Sequence, residues 1–137
     1  MPPPDPPPEP TKTLDDVAQE LGAYSLEALG FVQEGLSYAV QKFHGKVHDP
    51  TVSRHVSGQQ LCQGLREYAL AKWGLMAPAV LARWGITSTL DFGRIVFALI
   101  DASYMQKTEQ DTIEDFRNVY DFKTAFEADY RIENQSP

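Results

Sequence analysis

From Leu29 to Phe43 the residues Leu29, Val32, Leu36, Ala39 and Phe43 recur at alternating spacings of three and four. An α-helix puts such positions on one stripe, whereas a strand would scatter them over both faces of a sheet. Ala28, Phe31 and Tyr38 widen the stripe, Ser25 is placed to cap its start, and Gly45 to stop it. A helix this long with one apolar side must bury that side against another layer, and the helical pattern of the rest of the chain makes that layer other helices. Gly30 and Gly35 lie inside it, where each costs ~1 kcal/mol against Ala unless it allows a close approach.

The rest of the chain repeats this pattern in shorter pieces. Thr13 with Asp16 and Ser57 with Gln60 have the spacing of capping boxes, in which each side chain satisfies the other's backbone N–H. Leu14, Val17 and Leu21 form the face of a first short helix ended by Gly22. Leu61, Cys62, Leu65, Tyr68 and Ala69 form the face of a third helix that runs to Trp73. Two similar pentapeptides follow, "AKWGL" and "ARWGI". Each places a cation in the last turn of a helix, a Gly just beyond it, and an aliphatic residue next. That is the composition of a Schellman stop, so Gly74 and Gly85 read as helix ends, with Leu75 and Ile86 as their hydrophobic contacts. Pro78 suits the first turn of a short helix over about 77–84. Ser88 with Asp91 opens a helix over 89–104 whose face carries Phe92, Ile95, Val96, Leu99 and Ile100. Apolar on more than one side, this is the expected central helix. Beyond Tyr104 the pattern turns acidic and aromatic. A short helix over 112–117 and an extended arm through "FRNVYDF" both fit it.

The fold expected is mainly α: a single compact helical domain of five or six helices over 13–129. A winged-helix-like arrangement with a small C-terminal β element is the variant. Residues 130–137 are expected to fray. Residues 1–12 form a Pro-rich tail, because Pro2, Pro3, Pro4, Pro6, Pro7, Pro8 and Pro10 fix φ, remove amide donors and favour polyproline II. No apolar run reaches the length of a membrane span, and the start carries no basic-then-apolar signal. A single cysteine, Cys62, precludes an intrachain disulfide. The expected location is cytoplasmic.

The net charge of −7 disfavours non-specific binding to nucleic acid or anionic membrane. Between positions 42 and 83, however, Lys42, Lys46, Arg54, Arg66, Lys72 and Arg83 face only Asp49 and Glu67. That basic middle supports a second reading, a nucleic-acid- or ribosome-associated factor using Arg54, Arg66, Lys72 and Arg83.

Four blocks in order, "FVQEGLSYAV", "RHVSGQQLCQGLREYAL", "WGITSTLDFGRIVFALI" and "KTEQDTIEDFRNVYDF", resemble the signature blocks of the Minf-type family. That is an uncharacterised group of small planctomycete and verrucomicrobial proteins. The resemblance covers roughly residues 24–126. It implies a bacterial cytoplasmic protein and transfers no activity, cofactor or catalytic residue.

Candidate chemistry is sparse. His44, His48, His55 and Cys62 have zinc-compatible side chains at spacings that match no metal motif. Cys62 with His55 lacks the exposed, electropositive setting that a nucleophilic thiol needs. No catalytic, metal or cofactor set is therefore assigned, and an enzyme of unknown class ranks third. The first reading is a non-enzymatic adaptor or regulator with an unidentified protein partner. Phe116, Tyr120 and Phe122 are its interface candidates if they are exposed, and the floor of the core if they are not. The Pro-rich tail reads first as a solubilising tail and second as a ligand for an aromatic groove.

Overall fold

A computed structural model of the chain describes residues 10, 12–45, 56–105 and 112–126. The described residues form five α-helices: α1 (Leu14–Leu21), α2 (Leu26–His44), α3 (Gly58–Trp73), α4 (Ala77–Arg83) and α5 (Thr89–Asp101). Short 3-10 turns cover Gly74–Met76 and Ile113–Phe116, and residues 122–126 are again helical. This is a mainly α domain, and no strand occurs among the described residues. The C-terminal segment for which a β element was the variant is instead a 3-10 turn, a bend and a helical turn. Thr112 starts that turn because its N–H donates to the Asp115 carboxylate at 3.0 Å, a local bond that competes with any ladder. No helix among the described residues is long and apolar enough to cross a membrane.

The boundaries follow from the caps. Thr13 and Asp16 exchange bonds of 3.1 Å at the start of α1, and Ser57 and Gln60 bonds of 3.0 and 3.1 Å at the start of α3. The second Trp-Gly pair ends α4 as expected. The Ile86 N–H reaches the Leu81 carbonyl at 2.8 Å, the Gly85 N–H reaches Ala82 at 3.0 Å, and Leu81 and Ile86 are both fully buried. The first pair departs from that pattern. Gly74 has φ 54° and ψ −129°, and the chain passes directly into the 3-10 turn. Leu75 is therefore left 49 % exposed, and Met76 63 % exposed. α5 ends at Asp101, earlier than the expected 104, with Ser103 at φ 69° and the Tyr104 N–H on the Leu99 carbonyl at 2.8 Å.

The core lies between α2, α3 and α5. Leu29, Leu65, Leu81, Ile86, Ile95 and Leu99 are all at 0 % exposure, each contributing about 1.5–3 kcal/mol of transfer free energy. α2 and α3 approach closely because their facing positions are small. A Cβ at Gly64 would lie 2.6 Å from the Ala39 Cβ, and one at Gly35 would strike the Leu65 side chain. Gly30 meets nothing within 4 Å. The two α2 glycines thus have opposite roles. Gly30→Ala is expected to raise stability by about 1 kcal/mol, and Gly64→Ala to lower it by about 1–3 kcal/mol. Urea midpoints of the two variants check both signs.

The segment 112–126 closes the core from below. Phe116 is 3 % exposed, Phe122 8 % and Phe126 0 %. Thr89 holds the segment: its hydroxyl donates to the Phe116 carbonyl at 2.6 Å and accepts the Val119 N–H at 3.1 Å. Tyr120 donates to the Cys62 carbonyl at 2.7 Å, and Arg66 Nε donates to the Ala125 carbonyl at 3.1 Å.

Candidate functional site

Local burial decides the chemistry open to each candidate. Cys62 lies at 0 % exposure on the inner face of α3, and burial pushes its thiol up to about 12. Almost no thiolate is present at neutral pH, which removes the nucleophile a Cys–His mechanism requires. His48 and His55 lie outside the described residues. Among the described residues no three His, Cys, Asp or Glu side chains gather into a metal cage.

The buried carboxylate is Asp91, at 6 % exposure. Burial opposes its charge, but donors converge on it and the net effect lowers its pKa. The Tyr24 hydroxyl donates to Oδ1, the Thr87 N–H to Oδ2 at 2.9 Å and the Ser88 N–H at 3.1 Å. The Ser88 hydroxyl adds 3.2 Å, and Arg94 pairs from outside at 3.2 Å. Burial and the bond to Asp91 raise the Tyr24 phenol. The Tyr24 bond fastens the 22–25 turn to Asp91 and the Thr87 and Ser88 bonds fasten the 84–88 turn to the same carboxylate, so this cluster is a structural lock.

An open groove of about 480 Å³ runs between α3 and the 117–119 bend, past Phe43, Gln59, Gln63 and Arg117. Arg117 is already paired with Glu114 at 2.8 Å. Among the described residues neither an acid nor a histidine lines the groove.

Of the large apolar side chains exposed among the described residues, Phe43 lies at the far end of α2 beside the groove, and Leu26, Leu75 and Met76 lie where α2 begins, α3 ends and α4 turns. Trp73 and Trp84 meet edge to face, with ring centroids 5.4 Å apart. Phe31 supports both from below, at 5.5 and 6.1 Å. The row continues to Tyr68, 5.7 Å from Phe31, and to Tyr38, 5.7 Å from Tyr68. Phe31 is buried, while Tyr38, Tyr68, Trp73 and Trp84 are half-buried. Leu75 and Met76 project at this corner, and the Ser25 N–H on the Trp84 carbonyl at 3.2 Å brings in the start of α2, where Leu26 is 45 % exposed. The two cation–Trp–Gly pentapeptides therefore share a place as well as a composition. Lys72 Nζ stands 5.0 Å from the Tyr68 ring centroid and 5.7 Å from that of Trp73. The Tyr68 hydroxyl, at 3.4 Å, and then Glu34, at 3.6 Å, hold its pKa up.

The interface candidates of the sequence fall elsewhere. Phe116 and Phe122 are core residues, as their burial requires, and half-buried Tyr120 is tied to the Cys62 carbonyl. Of the basic residues, Arg54 lies outside the described residues. Arg66 is turned to the Ala125 carbonyl and Lys72 to Glu34 and Tyr68, while Arg83 is exposed at the end of α4. Leu26 and Met76 were absent from the sequence reading, and Leu75 was expected there as the buried contact after Gly74; the signal was that aliphatic residues stand beside a cap and between two helix stops. Comparison with protein-family models, with curated proteins and with solved structures gives no match to this chain.

Proposed function

We propose that the chain is a non-enzymatic protein-interaction module, an adaptor or regulator, and that it works through the Trp73–Trp84 corner. The observation that carries this is the exposure of Leu75 and Met76, at 49 % and 63 %, directly beside two half-buried tryptophans. Large apolar and aromatic side chains with a charged rim have the composition of interface anchors. Lys72, Arg83 and Glu34 supply that rim. A bacterial cytoplasmic setting goes with this proposal; it rests on the single cysteine and on the four sequence blocks that resemble the Minf-type family.

The nucleic-acid reading ranks second, because Arg66 and Lys72 are both engaged by neighbours within the chain. A native pull-down with and without nuclease separates the two. The expected result is a defined protein retained after nuclease by the wild type and lost from a Leu75→Glu, Met76→Glu variant. Capture that disappears with nuclease, and that weakens steeply with salt, would promote the basic residues instead.

A further inference from the structure

We propose that the Trp73–Trp84 corner is a site for a polyproline segment, and that its resident ligand is residues 2–9 of the same chain. The proposal rests on the reading of that corner as an interaction surface and names what fits it. Proline-rich segments in the polyproline II conformation dock into surfaces lined by aromatic rings, because the preformed helix loses little entropy and its rings lie flat on aromatic faces. Tyr38, Tyr68, Trp73 and Trp84 present such a row, each ring within 6.1 Å of the next through Phe31 or directly.

Reach and charge both point to the chain's own tail. α1 starts where the Tyr104 hydroxyl donates to the Lys12 carbonyl at 2.7 Å, and it ends where the Ala23 carbonyl lies against Gly85, the neighbour of Trp84. The tail thus leaves the domain about one α1 length, roughly 12 Å, from the corner. Nine residues of polyproline II span about 28 Å, enough to return along α1 and cross the aromatic row. Residues 2–9 carry Asp5 and Glu9 and no cationic side chain, while exposed Arg83 precedes Trp84 and Lys72, which Glu34 shares at 3.6 Å, precedes Trp73.

Trp73 and Trp84 are the chain's two tryptophans, so their indole N–H resonances report on this corner alone. The experiment compares the full-length chain with a full-length variant carrying Pro3→Ser, Pro4→Ser, Pro7→Ser and Pro8→Ser. Both indole resonances are expected to shift between the two proteins, equally at all concentrations. A peptide of residues 1–10, added to the variant, is expected to move them back toward the wild-type positions. Lys72→Glu in the variant is expected to weaken the peptide about threefold. Coincident indole resonances that the peptide leaves unmoved would overturn the proposal. A shift that grows with concentration would also overturn it, by assigning the tail to a second copy. Either result leaves the interaction reading standing if pull-down capture still depends on Leu75 and Met76.

Discussion

Gly85→Ala is expected to destabilise the domain by about 3 kcal/mol, with a fall in Tm of roughly 10–15 °C. Two effects add at this position. The backbone sits at φ +96°, where an L side chain is strained by about 1–2 kcal/mol. A new Cβ would also lie 2.1 Å from the Ala23 carbonyl oxygen, which is backbone and cannot rotate away. The 22–25 turn must then move off the 84–88 turn, at a cost of a further 1–3 kcal/mol. Gly22→Ala isolates the first effect: it has φ +73°, but its nearest neighbour stands 4.0 Å from the new Cβ. Its expected loss is about 1 kcal/mol. Equal losses at the two positions by urea denaturation would contradict the close approach at Gly85.

Asp91→Asn is expected to cost about 3 kcal/mol at neutral pH, because its amide group would turn an N–H toward the Thr87 and Ser88 donors. The loss should depend on pH. The Asp91 carboxyl is lowered in the folded state against about 3.9 unfolded, so its contribution is fully present above that value. It is lost as pH falls through the lower folded value. Stability measured from pH 7 to pH 2 should therefore fall more steeply for the wild type, and the gap between the two proteins should narrow below about pH 4. At the alkaline end the sign reverses. The Tyr24 phenol is raised above its usual value of about 10, so its contribution holds below pH ~10 and is lost as pH rises through the folded value. A gap that stays constant from pH 7 to pH 2 would exclude the buried carboxylate as the lock between the two turns.

These two sites also show what was legible in the sequence. Ser88 and Asp91 announced a helix start by spacing alone, since a cap is a contact over three residues. The Tyr24 hydroxyl reaches Asp91 across 67 positions, and no local pattern encodes that. The same division runs through the fold. Helix α3 was bounded at both ends by Ser57 and Gly74, and α4 by Pro78 and Gly85, because those residues act within a few positions of chain. Leu75 and Ile86 occupy equivalent places in two similar pentapeptides, yet one is exposed and the other buried. From Gly74, at φ 54° and ψ −129°, the chain enters a 3-10 turn, where the second pentapeptide makes a Schellman end. Phe116 and Phe122 carry the composition of interface anchors and of core floor equally well. Thr89 settles the matter by drawing the segment onto α5.

The candidate surface was legible only as a repetition. Cation, Trp and Gly recur because two helix ends need a cation near the dipole and a glycine beyond it. That the two tryptophans meet at 5.4 Å over Phe31 is a consequence of α3 and α4 turning back on each other, which spacing cannot report.

The most direct measurement is capture by the full-length chain after nuclease treatment, made on the wild type and on the Leu75→Glu, Met76→Glu variant. Thermal unfolding of both proteins is recorded alongside. Both residues are exposed, so the variant is expected to keep its Tm within a few degrees and to lose the captured protein. A variant that folds equally well and still captures the same protein would show that the Trp73–Trp84 corner is not the surface through which this domain works.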